Sequence, residues 1–343
     1  MYAVAGTEKY VKADELDHDK CTQAWRRKVV YTCVPAIYNL EYGDVVKWSY
    51  DDVAVVKVEK PFIFDDRHWS ECSYSPAPIL VNFDANFEKP GTNAIVMGWG
   101  HTTEWRSPNS TTDLNQSELR YASVSILDSE ECKKSFTDPK MGQQIEDFMI
   151  CTYHDGVIDE YGVIKSRKLN DGEIYENLNK TQVSYNTSNT VDRKQFTNIK
   201  VQQNYTDDSH RNWNEITEFR RKGICQNDHG GPLVTWINGT EHVIGVASVF
   251  RVDRQSHCVG PFLYTSTAKN KDFIQCILED LVHTDRRSPS RRRSMCEQPK
   301  NGKGFIILRR YIKWTTNYEK DSVAPNLNIQ LRPQISISNY RGK

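Results

Sequence analysis

The stretch Cys225-Gln226-Asn227-Asp228-His229-Gly230-Gly231-Pro232-Leu233-Val234 decides how the rest of the chain is read. It runs into a short β-type segment, Leu233 to Ile237, which is one of a series: Val29 to Ile37, Val53 to Val58, Ile79 to Val81, Ala94 to Met97, Val124 to Leu127, Val243 to Phe250 and Phe262 to Tyr264. Many short strands with turn residues between them predict an all-β barrel or sandwich. One helix is expected after the strands, because Phe273, Ile274, Ile277, Leu278 and Leu281 form an amphipathic stripe.

The quoted stretch resembles the nucleophile loop of trypsin-like and chymotrypsin-like serine proteases, C-x-G-D-S-G-G-P-L-V, with Asn227 in place of the first Gly and His229 in place of the Ser. Other landmarks of that family follow in order. Asp52-Val53-Ala54-Val55-Val56-Lys57-Val58 resembles the strand that carries the triad carboxylate, and Gly91 to Gly98-Trp99-Gly100 resembles the stretch ending in its G-W-G turn. Phe148-Met149-Ile150-Cys151 resembles D-x-M-I-C-A-G, and Val243 to Ser248 resembles the strand edging the substrate cleft. The resemblance covers roughly residues 2–282. It implies a double β-barrel closed by a C-terminal helix. Tyr2-Ala3-Val4-Ala5-Gly6 resembles the strand just after the family's catalytic His, so the first barrel is expected to lack its opening strands. In that family the Asp and Ser lie about 93 residues apart, whereas Asp52 and His229 are 177 apart. A polar insertion, 152–221, accounts for most of the excess. Within it Asn170-Asp171-Gly172 marks a local hairpin.

Net charge is zero from 45 Lys+Arg and 45 Asp+Glu, but the sum hides a split. Residues 283–343 hold 14 basic and 4 acidic side chains, and the 282 residues before them hold 31 and 41. The domain reading is therefore a protease-like unit over 1–282 and a basic, partly disordered extension over 283–343 that opens with Arg286 to Arg293. Aromatics Phe305, Tyr311, Trp314 and Tyr318 alternate with Lys and Arg in that extension. They suit polyanion contact or docking on the acidic body better than nucleic acid. No apolar run approaches the roughly 18 residues of a membrane span.

Nine cysteines without a CxxC pair argue against zinc and for disulfides in an oxidising compartment. Sequons at Asn109, Asn115, Asn179, Asn186, Asn204 and Asn238 add to a secreted, glycosylated reading. The opening residues show no signal peptide, so export is expected to be unconventional or the true N-terminus to lie upstream. The resemblance implies the disulfides Cys132–Cys151 and Cys225–Cys258. Cys21, Cys33, Cys72, Cys276 and Cys296 remain, an odd number.

Acyl transfer in this family needs a small nucleophile, a base, an orienting carboxylate and an oxyanion hole. By resemblance Asp52 is the relic triad carboxylate, His229 holds the nucleophile position and Asn227 an oxyanion-hole position. Asp228 is the carboxylate that in the family pairs with the activated N-terminus. Gly223, Ser248, Phe250 and Phe262 hold specificity-pocket positions, and two Phe rings where the family has Gly would fill a small pocket. An imidazole at 229 is larger than a hydroxymethyl and reaches a different point, so near-attack geometry is lost. The base, expected near Thr7, is missing; His18 is the only earlier His and follows no apolar strand. The expectation is a secreted, catalytically inactive serine protease homologue that binds a protein partner, with no cofactor, no metal, no nucleic acid and no membrane. The alternative is an active serine endopeptidase whose sequence is incomplete or wrong at 229. A third reading is a basic-tailed nucleic-acid binder.

Overall fold

The computed structural model describes residues 1–12, 14–35, 38, 40–42, 47–49, 51–64, 72, 76–102, 112–164, 222–282, 307–314 and 336–337. The expected hairpin at Asn170-Asp171-Gly172, the sequons Asn109, Asn179, Asn186 and Asn204, the run Arg286 to Arg293, Phe305, Tyr318 and Cys296 lie outside them.

The first sheet is built on β2 (Arg26–Pro35), a run rich in β-branched residues whose Val29, Cys33 and Pro35 are buried. One edge of β2 carries β5 (Val55–Val58), and β1 (Tyr2–Val4) pairs with Arg26 to Lys28. The helix α1 (Lys20–Trp25) joins β1 to β2; Asp19 caps it by accepting from the Thr22 amide, and a Cys21–Cys72 disulfide ties it down in a small cluster with its own Trp25 and with Phe62. Strands β3 (Leu40–Tyr42) and β4 (Lys47–Ser49) form a separate antiparallel pair. β6 (Leu80–Val81) leads to the second half of the molecule.

There the strands close on themselves. β7 (Asn93–Gly98), β8 (Arg120–Leu127), β9 (Met149–Asp155), β12 (Cys258–Ser266), β11 (Thr240–Val252) and β10 (Pro232–Ile237) are neighbours in that order, and β10 pairs back onto β7. β6 adds in parallel to β11. A closed barrel has no exposed strand edge. Alternation sorts its residues: Ile150, Phe262, Tyr264, Leu233 and Val124 fill the interior, while Cys151 and Leu263 face outward onto Met141 and Ile145 of α3 (Pro139–Phe148) and Cys132 of α2 (Ser129–Lys133). Both faces of β12 are covered, so every residue in it is buried. β9 runs on to Asp155 with Thr152 paired to Phe262, so the departure toward the polar insertion begins beyond this strand and not at 152.

The expected terminal helix is α4 (Lys271–Val282), and it buries Phe273, Ile274 and Ile277 against Cys33 of β2 and Val53, just ahead of β5. Leu278 of the stripe stays exposed. The bonds Cys132–Cys151 and Cys225–Cys258 are formed. Cys276 is also disulfide-bonded, and Cys33 is a buried thiol.

The extension after residue 282 contributes to the first sheet. β13 (Ile307–Tyr311) pairs antiparallel with Tyr31 to Pro35, and β14 (Ser336–Ile337) pairs with β13. Because β5 occupies the opposite side of Tyr31 to Cys33, β13 must lie on the edge that β1 begins. The contacts are specific as well as backbone-borne. Trp314 donates from Nε1 to the Val29 carbonyl at 2.9 Å and its ring lies 4.9 Å from that of Tyr2. Arg309 lies over Tyr31, and Ile307 joins the cluster under α4. A strand from the far end of the chain thus covers part of an edge of β2 that would otherwise be open.

Candidate active site

Asp52 sits where the two halves meet. Ser248 of β11 donates its hydroxyl to Asp52 Oδ2 at 2.8 Å, and Thr265 of β12 donates to the Asp52 carbonyl at 2.8 Å. Both are long-range ties that lock the start of β5 to the closed barrel. The motif places Ser248 only at the wall of a pocket; the structure turns its hydroxyl onto the carboxylate. The residue before Asp52 escapes sequence reasoning altogether. Asp51 is 2% exposed, adopts φ +48°, and its Oδ1 has no hydrogen-bond partner among the described residues. Burial first, and the neighbouring Asp52 charge second, push its carboxyl up to about 7. The visible signal is the Asp51-Asp52 pair at the head of an apolar strand.

The loop Cys225–Gly231 is held by its backbone. Asp228 N donates to the Cys225 carbonyl, Gly231 N to the Asp228 carbonyl, and Gly230 and Gly231 exchange 2.8 Å bonds with Ala247 of β11. Asn227 takes φ +71°, the left-handed conformation that glycine adopts readily and asparagine tolerates. The loop thus keeps its turn with a side chain in place of hydrogen. That side chain donates from Nδ2 to Asn115 Oδ1 at 2.9 Å and lies 3.5 Å from Nε2 of His101, which is 3% exposed. Neither His101, just after the Gly98-Trp99-Gly100 turn, nor Asn115 can be placed beside Asn227 from the sequence.

Asp228 turns its carboxylate inward. Oδ1 accepts from the Gly100 amide at 2.8 Å and Oδ2 from the Cys225 amide at 2.9 Å. These neutral donors take up the carboxylate for which the resemblance implies an ammonium partner. The room comes from glycine: a Cβ at Gly98 or Gly100 would overlap the Asp228 carboxylate.

His229 itself is exposed, with its ring centroid 5.5 Å from that of Phe250. Phe250 is 5% exposed and Phe262 is fully buried. The Phe262 ring lies directly against Gly223, so that a Cβ there would overlap it. The floor position of the expected pocket is therefore covered by an aromatic ring. Beneath lies Tyr264, whose burial raises its phenol above the ordinary value.

The arrangement has a carboxylate tied to a serine, a loop turned through a left-handed Asn227, an imidazole at its tip and an aromatic ring against Gly223. Among the described residues no group of three or more His, Cys, Asp or Glu is placed to hold a metal ion. No described helix is long and apolar enough to cross a membrane. A family model described as Trypsin matches residues 17–161, the stretch from α1 through β9 that includes Asp52 and the Gly98-Trp99-Gly100 turn. No curated protein matches the chain.

Proposed function

Given that the chain belongs to the trypsin-like serine protease family, we propose that it is a secreted homologue without hydrolytic activity, working as a binding or regulatory module. The observation that carries this reading is the pairing of an exposed imidazole at 229 with a Phe262 ring seated on Gly223. The nucleophile position offers no alcohol, and the Phe262 ring lies against Gly223, the position that would floor a P1 pocket. Attack by the imidazole would need a base to relieve it and a substrate anchored beside it. Among the described residues the hydrogen bond on the Asp52 carboxylate comes from Ser248. Secretion is supported by the disulfides and by the number of sequons.

In this reading the partner is a protein, with neither membrane nor nucleic acid involved. Arg309, Tyr311 and Trp314 of the extension are engaged on β2 and β1, which favours docking of that part on the body; polyanion contact through the basic tail rests on its composition. The competing reading, an active serine endopeptidase, draws on the preserved frame: the Ser248–Asp52 bond, the inward Asp228 and the left-handed Asn227. One experiment separates them. Full-length protein from a secretory eukaryotic host is incubated with peptide esters and amides and with a serine-directed fluorophosphonate. No turnover and no labelling are expected; turnover above a contaminant control, or a labelled Ser in the cleft, overturns the proposal.

A further inference from the structure

Of the two sequons within the described residues, one lies against the vestigial cleft. Asn115-Gln116-Ser117 sits in a loop pinned on several sides: Asn115 N donates to Asp113 Oδ1, Gln116 N to the Trp99 carbonyl, and Tyr10 N to the Ser117 carbonyl. The Asn115 side chain is half-buried and accepts, through Oδ1, the 2.9 Å bond from Asn227, two residues before His229. Its own Nδ2 makes no hydrogen bond among the described residues. The amide is thus oriented, with its oxygen facing the nucleophile loop and its nitrogen unspent.

We propose that Asn115 carries an N-linked glycan that lies across the cleft at His229 and covers it with carbohydrate. This rests on the secretory reading above. In the transfer, Nδ2 attacks C1 of the reducing-end sugar of a polyprenyl-pyrophosphate-linked oligosaccharide. The bond from C1 to the pyrophosphate oxygen breaks, Nδ2 gives up one proton, and polyprenyl pyrophosphate leaves. The product keeps one N–H and the whole carbonyl, so the Asn227 bond to Oδ1 persists and holds the first sugar in a defined direction. Asn238 is the internal contrast. It lies in the exposed β10–β11 turn at φ +52°. The six residues of β10 set that turn about 20 Å of strand away from the nucleophile loop. A glycan on Asn115 removes the cleft as a docking face, so the partner of this module binds elsewhere.

The test uses the full chain secreted from eukaryotic cells. Occupancy is mapped by glycosidase conversion of Asn to Asp and peptide mass. His229 accessibility is read from its rate of carbethoxylation by diethyl pyrocarbonate. S117A removes the sequon and leaves the Asn115–Asn227 bond intact; T240A does the same for the control sequon at Asn238. Asn115 is expected to be occupied, and His229 to react several-fold faster in S117A but at the parental rate in T240A. A bare Asn115 beside an occupied Asn238 overturns the proposal and leaves the secretory reading standing. Occupancy without protection of His229 also overturns it. Bare sequons throughout overturn both, and turnover of a peptide substrate by the same sample would refute the inactive reading whatever the glycan map shows.

Discussion

Asp51 is the residue whose replacement should reveal most about how this site is built. Its carboxyl stands at about 7 against an ordinary 3.8, because it is buried and adjoins the Asp52 charge. A tenfold change in proton affinity is worth about 1.36 kcal/mol, so holding the ionised group in the folded state costs about 4 kcal/mol at high pH. The sign follows from linkage. The folded chain keeps this proton to a higher pH than the unfolded chain, so stability is greatest in acid. It falls as pH rises from near 4, and levels off above about 7. More than half of the loss falls between pH 5 and pH 8. Asn at 51 has no charge to desolvate and accepts the φ of +48° as well as Asp does. In urea unfolding, D51N should exceed the parent at pH 8, by up to about 4 kcal/mol less whatever its buried amide loses. The two proteins should draw closer at pH 5. A variant less stable than the parent at pH 8, or a gap that does not narrow in acid, would refute the reasoning.

The contact of Phe262 with Gly223 makes a double-mutant cycle informative. G223A should cost about 1–3 kcal/mol by driving a methyl into the Phe262 ring, and almost nothing in an F262A background, where the ring is gone. F262A alone should cost about 3–5 kcal/mol and open a dry cavity that binds benzene or indole, seen as a ligand-dependent rise in Tm. H229S should remain unlabelled by a fluorophosphonate, since an alcohol alone supplies neither a base at Asp52 nor a pocket; labelling would show a more complete machinery than this geometry provides. W314A should lose about 2 kcal/mol with its bond to Val29 and its packing on Tyr2. Truncation before Ile307 should lower Tm further and promote self-association through the bared edge of β2, measured by sedimentation.

Local pattern carried much of this molecule. The strands, the α4 stripe, the turn at Asn227 and the substitution at His229 were legible because each rests on short-range features: alternation, helical spacing, a residue tolerant of positive φ, a motif of fixed length. The Phe262 ring against Gly223 joins two positions that the motif indexes. Other features had no such index. Backbone edge pairing reads almost no side chain, so nothing in Ile307 to Tyr311 announced that it would lie on β2. The Ser248 hydroxyl on Asp52 and the Asn115 amide on Asn227 join residues 196 and 112 positions apart. The perturbed Asp51 depends on what excludes water around it. Composition and local order determined which elements this chain would form. Burial, charge and proximity at the cleft were decided only when those elements closed upon one another, because desolvation and hydrogen bonding depend on distance in space rather than along the chain.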